Sequence, residues 1–135
     1  MRRIVWGDDH AALLGAVRTL LEAHFDLVTT VEDGEAALEA IRTLGPDAAV
    51  LDISMPKLSG IEVARRLHGD EDGPAVVFLT VHRDPEIVEA ALETGALGYV
   101  LKALAGRDLI PALEEAVKGH RFLSRALYPS TRNES

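Results

Sequence analysis

Four short apolar runs each end on a residue that could do chemistry. Ile4-Val5-Trp6 leads through Gly7 into Asp8-Asp9, and Ala48 to Leu51 stops at Asp52. Ala75 to Leu79 ends on Thr80, and Gly98 to Leu101 ends on Lys102. Three carboxylates can hold one hard cation such as Mg²⁺, which takes few protein oxygens and keeps several waters. Adjacent acids at the end of a buried strand repel each other, and a divalent cation relieves that repulsion. With charge neutralised by such an ion and by Lys102, Asp52 becomes a usable nucleophile toward an acyl or phosphoryl group. Phosphoryl transfer needs mainly positioning and charge stabilisation, which these groups could supply. Taken singly, Asp52 reads equally well as a cap or turn residue after a strand, and Thr80 alone reads better as one. Asp9 could likewise serve as the N-cap of a following helix.

The elements that must position these residues follow from apolar spacing. Runs of Val, Leu and Ala predict strands over Arg3 to Gly7, Asp26 to Val31, Ala48 to Leu51, Ala75 to Leu79 and Gly98 to Leu101. Steps of three and four predict helices over Ala11 to His24, Glu35 to Leu44, Ser59 to His68, Pro85 to Thr94 and Arg107 to Lys118. Leu13, Leu14, Val17, Leu20 and Leu21 are expected on the inward face of the first helix. Pro111 is expected close to the first turn of the last one, where proline is best tolerated. Strand and helix alternate five times, which predicts a parallel, doubly wound sheet with right-handed crossovers and helices on both faces. Ligands of such sheets bind outside the carboxyl ends of the strands, where the four chemical positions stand.

Composition bounds the function. The chain has 135 residues, 47% of them hydrophobic, enough for one domain with a core. Fourteen Lys and Arg against 22 Asp and Glu give a formal charge of −8, which disfavours nucleic-acid binding by this domain itself. The absence of cysteine excludes disulfides, thiolate metal sites and cysteine nucleophiles, and fits a cytoplasmic protein. No run approaches the roughly 18 apolar residues of a membrane span, and no signal-peptide pattern is present. His24, His68 and His120 lack ligand spacing. His10, His82 and Lys57 read as solvated groups.

Asp8-Asp9, Asp52-Ile53-Ser54-Met55-Pro56 with Ser59-Gly60, Thr80, and Gly98-Tyr99-Val100-Leu101-Lys102 together resemble the receiver domain of two-component response regulators. The resemblance runs from about Arg3 to Gly119. It implies a flavodoxin-like (βα)5 three-layer sandwich with sheet order 2-1-3-4-5. It implies that Asp52 accepts a phosphoryl group from a sensor histidine kinase, with Mg²⁺ held by Asp9, Asp52 and the backbone carbonyl of Ser54, and Asp8 helping directly or through water. Lys102 would pair with a phosphate oxygen. Thr80 would swing toward the phosphoryl group while Tyr99 turns inward, which would reshape the surface of the fourth helix, fifth strand and fifth helix. A phosphoryl group adds roughly −1.5 to −2 charge, enough to bias a two-state loop.

Asp8-Asp9-His10 and the stretch Ala116 to Ser124 resemble the NarL/FixJ-type subfamily, whose members usually continue into a helix-turn-helix domain. The implied output is transcription through a DNA-binding domain outside this chain, with homodimerisation on phosphorylation. The receiver is expected over residues 1–123. Residues 124–135 are expected as a polar, frayed tail or the start of a linker, with Phe122-Leu123-Ser124 as the linker's beginning. Three departures stand out. Val81 occupies a usually small position and should narrow access to Asp52. Ala103 replaces a common cis-proline, so the turn after Lys102 should be trans, because a cis non-proline bond costs about 3 kcal/mol. Gly7 is expected to loosen the end of the first strand. Competing readings are a stand-alone or pseudo-receiver scaffold, a haloacid dehalogenase-like phosphohydrolase, and a nucleotide or flavin binder. The phosphohydrolase wants an Asp where Ser54 stands; the nucleotide binder wants a Gly-rich loop where Asp8-Asp9 stand.

Overall fold

A computed structural model describes residues 1–124 and Leu127. Strands β1 (Arg3–Gly7), β2 (Asp26–Val31), β3 (Ala48–Leu51), β4 (Ala75–Thr80), β5 (Gly98–Leu101) and β6 (Phe122–Leu123) form one sheet of order β2-β1-β3-β4-β5-β6. Every pairing is parallel. Helices α1 (Gly15–His24), α2 (Gly34–Leu44), α3 (Gly60–His68), α4 (Pro85–Glu93) and α5 (Ala105–Val117) connect the strands. The fold is flavodoxin-like, as the alternation and the resemblance imply, with one more edge strand than expected.

Side-chain alternation along the strands sorts the core into two halves. Val5, Ala49, Leu51, Phe78 and Tyr99 point to the side covered by α2, α3 and α4, where Leu38, Ile41, Val63, Leu67 and Val88 meet them. Ile4, Trp6, Val50, Val77, Leu79 and Val100 point to the other side, against Val17 and Leu21 of α1 and Leu109 and Leu113 of α5. Burying both faces explains why β3, β4 and β5 read as continuous apolar runs rather than alternating ones.

Register then brings the strand ends together. Gly7 lies opposite Leu51, and Leu51 opposite Phe78, while Thr80 lies opposite Leu101. The residues that follow β1, β3 and β5 therefore emerge at one edge, beside the last residue of β4.

Several boundaries differ from the sequence expectation. The segment after β1 is a 3₁₀ turn over Ala11–Leu13, and α1 begins only at Gly15. The Asp8 carboxylate takes the His10 N–H at 2.8 Å, and the Asp8 carbonyl takes that of Ala11 at 3.1 Å. These bonds hold the chain in a tight turn before the helix. Asp9 therefore does not cap α1; Leu14 stands at its N-cap without a side-chain bond. Leu13, expected inward, is 80% exposed, because it belongs to the turn rather than to the helical face. Asp33, Ser59 and Asp84 do cap their helices, accepting from Ala36, Glu62 and Glu86. Helix α5 starts two residues earlier than expected, so Pro111 sits in its second turn rather than its first. Phe122-Leu123 is not the start of a linker but β6, paired with Gly98 and Tyr99. Two residues are too few to show a strand period, so this pairing carries no local signal. Of the expected tail, residues 125, 126 and 128–135 lie outside the described residues.

Gly7 is the last residue of β1 and is buried and paired on both sides. A Cβ there would come within 3.1 Å of the Leu51 side chain and 3.4 Å of Ala37 and Met55. Its role is close packing under the α2 side of the sheet, not a loosened strand end. No cis peptide bond occurs among the described residues, so the turn at Ala103 is trans as expected.

Candidate phosphoryl-acceptor site

The site lies at the carboxyl edge of β1, β3, β4 and β5. Lys102 Nζ reaches 2.8 Å from Asp8 Oδ2 and 2.9 Å from Asp52 Oδ2. Asp8 is fully buried and Asp52 is 5% exposed. Burial opposes the charge on Lys102, but hydrogen bonds and charge attraction from Asp8 and Asp52 outweigh it and hold the ammonium above the usual lysine range. The other Asp52 oxygen, Oδ1, accepts the Ile53 N–H at 2.7 Å. The Asp52 backbone N–H donates to the Gly7 carbonyl at 2.9 Å, extending the β1–β3 ladder to Asp52 itself.

Asp9 is more open, with a side chain 30% exposed, and its Oδ1 lies 3.0 Å from His10 Nδ1. One ligand atom from each of Asp8, Asp9, His10 and Asp52 falls within a group no wider than 4.8 Å. Asp8 Oδ2 and Asp9 Oδ1 are both buried atoms; the Lys102 ammonium meets the first at 2.8 Å, while the second has only the His10 ring beside it. Three carboxyl groups gathered at this edge, with one ammonium between two of them and a buried Asp9 oxygen that no donor reaches, are a donor set that fits a hard divalent cation. His10, read from sequence as solvated, is exposed as expected and also sits within this group.

The loop carrying Asp52 is clamped by two glycines at helix starts. Gly60 N–H donates to the Ile53 carbonyl at 2.8 Å, and Gly34 N–H to the Pro56 carbonyl at 3.1 Å. A Cβ at Gly60 would stand 2.0 Å from the Asp52 carbonyl oxygen, and one at Gly34 1.9 Å from that of Leu58. Only glycine lets α2 and α3 approach this closely. Lys57, at the tip, adopts φ 71° and is 61% exposed, 3.8 Å from Asp33.

Thr80 is fully buried, and its hydroxyl accepts the His82 N–H at 3.3 Å. Tyr99 is fully buried too, with its ring 6.2 Å from Phe78, and its hydroxyl donates to the His82 carbonyl at 2.8 Å. Tyr99 thus already points inward. Burial first, then the charges of Asp52 and Asp84, push its phenol up to about 12. Ser54 lies in the loop two residues beyond Asp52, and its hydroxyl is 2.7 Å from His82 Nε2. His82 therefore joins Thr80, Tyr99 and Ser54. Sequence reading placed it in solvent, because nothing local marks a histidine whose partners come from β4, β5 and the loop after β3. Val81 beside it is 67% exposed.

Asp8, Asp9, Asp52 and Lys102 are brought together as the strand ends suggested, with Thr80 at the neighbouring strand end. Comparisons with known proteins agree with the geometry. Residues 4–114 match the family model described as response regulator receiver domain. The transcriptional regulatory protein DegU of Brevibacillus brevis is 36% identical over 123 residues, covering 90% of this chain and 52% of that protein. The probable transcriptional regulatory protein NarL of Mycobacterium tuberculosis is 36% identical over 127 residues, covering 93% and 59%. The chain thus spans between half and three fifths of the length of these curated relatives. The solved signal receiver domain of the putative response regulator NarL from Mycobacterium tuberculosis superposes with a TM-score of 0.82 at 35% identity, covering 88% of this chain and 98% of that one. With its family model, its relatives and its fold in agreement, the chain belongs to the response regulator receiver domain family, on the branch of the NarL- and DegU-type regulators.

Proposed function

We propose that Asp52 is the phosphoryl acceptor, that it takes the group from a phosphohistidine of a sensor histidine kinase, and that the transfer requires Mg²⁺. The observation that carries this reading is the pair of contacts from Lys102 Nζ to Asp52 and Asp8 at the carboxyl edge of the sheet. An Asp52 carboxylate oxygen attacks phosphorus, the P–N bond to the donor imidazole breaks, and its electron pair stays on the imidazole nitrogen, which takes up a proton. Asp9, Asp52 and the Ser54 carbonyl would hold Mg²⁺, with Asp8 assisting; the ion supplies charge neutralisation for the incoming phosphoryl oxygens. Ile53 N–H orients Asp52 from one side, and Lys102 is poised to pass from the carboxylate to a phosphoryl oxygen.

After transfer, Thr80, the last residue of the neighbouring strand β4, would supply a hydroxyl donor. To turn toward the new charge it must give up the His82 N–H, and the Tyr99 hydroxyl bonded to the same residue's carbonyl responds with it. In this reading the α4, β5 and α5 surface carries the signal, through a homodimer and a DNA-binding domain outside this chain, in the cytoplasm. Among the described residues no helix is long and apolar enough to cross a membrane.

Intact mass after incubation with acetyl phosphate and Mg²⁺ tests the reading, with Asp52→Asn as control. Gain of one phosphoryl group by the wild type alone supports it. No gain with either acetyl phosphate or a phosphorylated histidine-containing donor would overturn it in favour of a scaffold that binds partners without phosphorylation.

A further inference from the structure

Strand β5 carries Tyr99 and leads directly into Lys102, and its outer edge is closed in an unusual way. Phe122 N–H donates to the Leu97 carbonyl at 2.7 Å, and Ser124 N–H to the Tyr99 carbonyl at 3.0 Å. The next rung is made by a side chain: Leu101 N–H donates to Ser124 Oγ at 3.2 Å. That hydroxyl in turn donates to Asp108 Oδ2 at 2.8 Å, inside α5. Ser124 is fully buried, Leu101 is 2% exposed and Asp108 is 5% exposed. Arg107 Nε pairs with the other Asp108 oxygen at 2.9 Å, and the Ser124 carbonyl accepts the Leu127 N–H at 2.9 Å. A hydroxyl that both donates and accepts in a buried place fixes its two partners relative to each other. Here those partners are the last residue of β5 and a carboxyl group of α5.

We propose that Ser124, held by Asp108, is a positioning residue for Lys102: it fixes the end of β5 and thereby the ammonium that faces Asp8 and Asp52. Removing the hydroxyl leaves the buried Leu101 N–H without its acceptor, and leaves Asp108 Oδ2 only the 3.3 Å bond from Arg107. The strand end then loosens one peptide away from Lys102. The point at which the chain leaves the sheet is tied to the same strand end, so Ser124 links that exit to the site. The phosphorylation readout of this proposal rests on the acceptor role of Asp52; the lysine readout does not.

The experiment compares Ser124→Ala, Asp108→Ala, Asp108→Asn and a control, Asp47→Ala. The control removes the bond from Arg3 N–H to Asp47 Oδ2. It lies at the amino ends of the strands, away from the site. Acylation of lysines by an acetyl succinimidyl ester, followed by peptide mass, reads Lys102 against Lys57 and Lys118, whose side chains are 61% and 60% exposed against 14% for Lys102. Ser124→Ala and Asp108→Ala are expected to speed labelling of Lys102 severalfold while leaving the other two unchanged. Asp108→Asn keeps an acceptor for the hydroxyl and is expected to retain the protection. With acetyl phosphate and Mg²⁺, the two alanine variants should phosphorylate more slowly, on the order of tenfold, since small misplacement of a charge-stabilising group is costly. A change confined to melting temperature, matched by Asp47→Ala, with Lys102 labelling at the wild-type rate, would overturn the proposal. If Ser124→Ala fails to fold, Asp108→Ala disrupts the same hydroxyl with Ser124 in place. If the wild type accepts no phosphoryl group, the acceptor reading fails while the lysine labelling still decides this one.

Discussion

Lys102 is the residue on which the site's electrostatics turn. Its ammonium is shared between two buried carboxylates, so Lys102→Met removes the one Lys or Arg charge that contacts them among the described residues. Leaving buried carboxylates uncompensated is more damaging than losing a surface pair. We expect Lys102→Met to lose most acetyl phosphate reactivity and also to lower stability; intact-mass kinetics and urea melts read both. Tyr99 gives a prediction with a defined sign. Its phenol is raised from an ordinary value of 10.0 to about 12 by burial and nearby acids, so the folded state holds the proton more tightly than the unfolded state. The stability this contributes is complete below about pH 10 and is lost as pH rises toward 12. Tyr99→Phe should flatten the alkaline loss, measured by denaturant melts between pH 9 and 12. A slope equal to the wild type would count against the burial of the hydroxyl. Val81 belongs to this scale as well. Val81→Ala is expected to speed both phosphorylation by acetyl phosphate and loss of phosphate, if the exposed valine side chain narrows the approach to Asp52.

At the scale of elements, the loop that presents Asp52 depends on how closely α2 and α3 begin beside it. Gly60→Ala forces a Cβ against the Asp52 carbonyl, and a backbone atom cannot yield as a flexible side chain would. We expect a loss of about 1–3 kcal/mol, the range of overpacked interiors, together with impaired phosphorylation, because the displaced carbonyl belongs to Asp52, the proposed acceptor. Ser59→Ala, one residue earlier, removes only the cap bond to Glu62 N–H at 3.1 Å and should cost about 1 kcal/mol with reactivity retained. A pair of urea melts beside intact-mass rates separates the two, and equal effects on reactivity would undo the distinction. Both positions were legible as a loop-to-helix transition in Ser59-Gly60. The reason the second must be glycine was not, because the clash is with a strand end eight residues back.

The whole molecule carries a formal charge of −8, and part of that excess converges on Asp8, Asp9 and Asp52. A cation that binds only the folded state stabilises it by mass action, about 2.7 kcal/mol at a hundred times its dissociation constant. Mg²⁺ is therefore expected to raise the melting temperature and to perturb Trp6 fluorescence, since that buried ring lies two residues before Asp8. Asp9→Asn should abolish both responses; their persistence would exclude this cluster as the ion's site. Acid has its own address. Arg107, and to a lesser degree Ser124, hold the Asp108 carboxyl below the usual range against the opposing effect of burial. The stability this gives is present above ordinary carboxylate values near pH 4 and is lost as pH falls below them.

How much could be read before folding depends on the range over which each cause acts. The strand ends Asp8-Asp9, Asp52, Thr80 and Lys102, the five alternations and the receiver resemblance were legible, because apolar runs and their terminating polar residues are local patterns. Burial on both faces writes a parallel strand as a continuous run, so β3, β4 and β5 announced themselves. The turn that delays α1 and exposes Leu13 was not legible, since apolar spacing continues through it while Asp8 claims the backbone. Nor was β6, two residues whose only evidence is pairing with β5. His82 and Ser124 were read as solvent and linker because their partners lie up to 28 and 23 residues away. Sequence alone determined which residues reach the carboxyl edge of the sheet. Tertiary structure decided which of them share a proton or a charge, since that depends on distances of about 3 Å between atoms that no local pattern brings together.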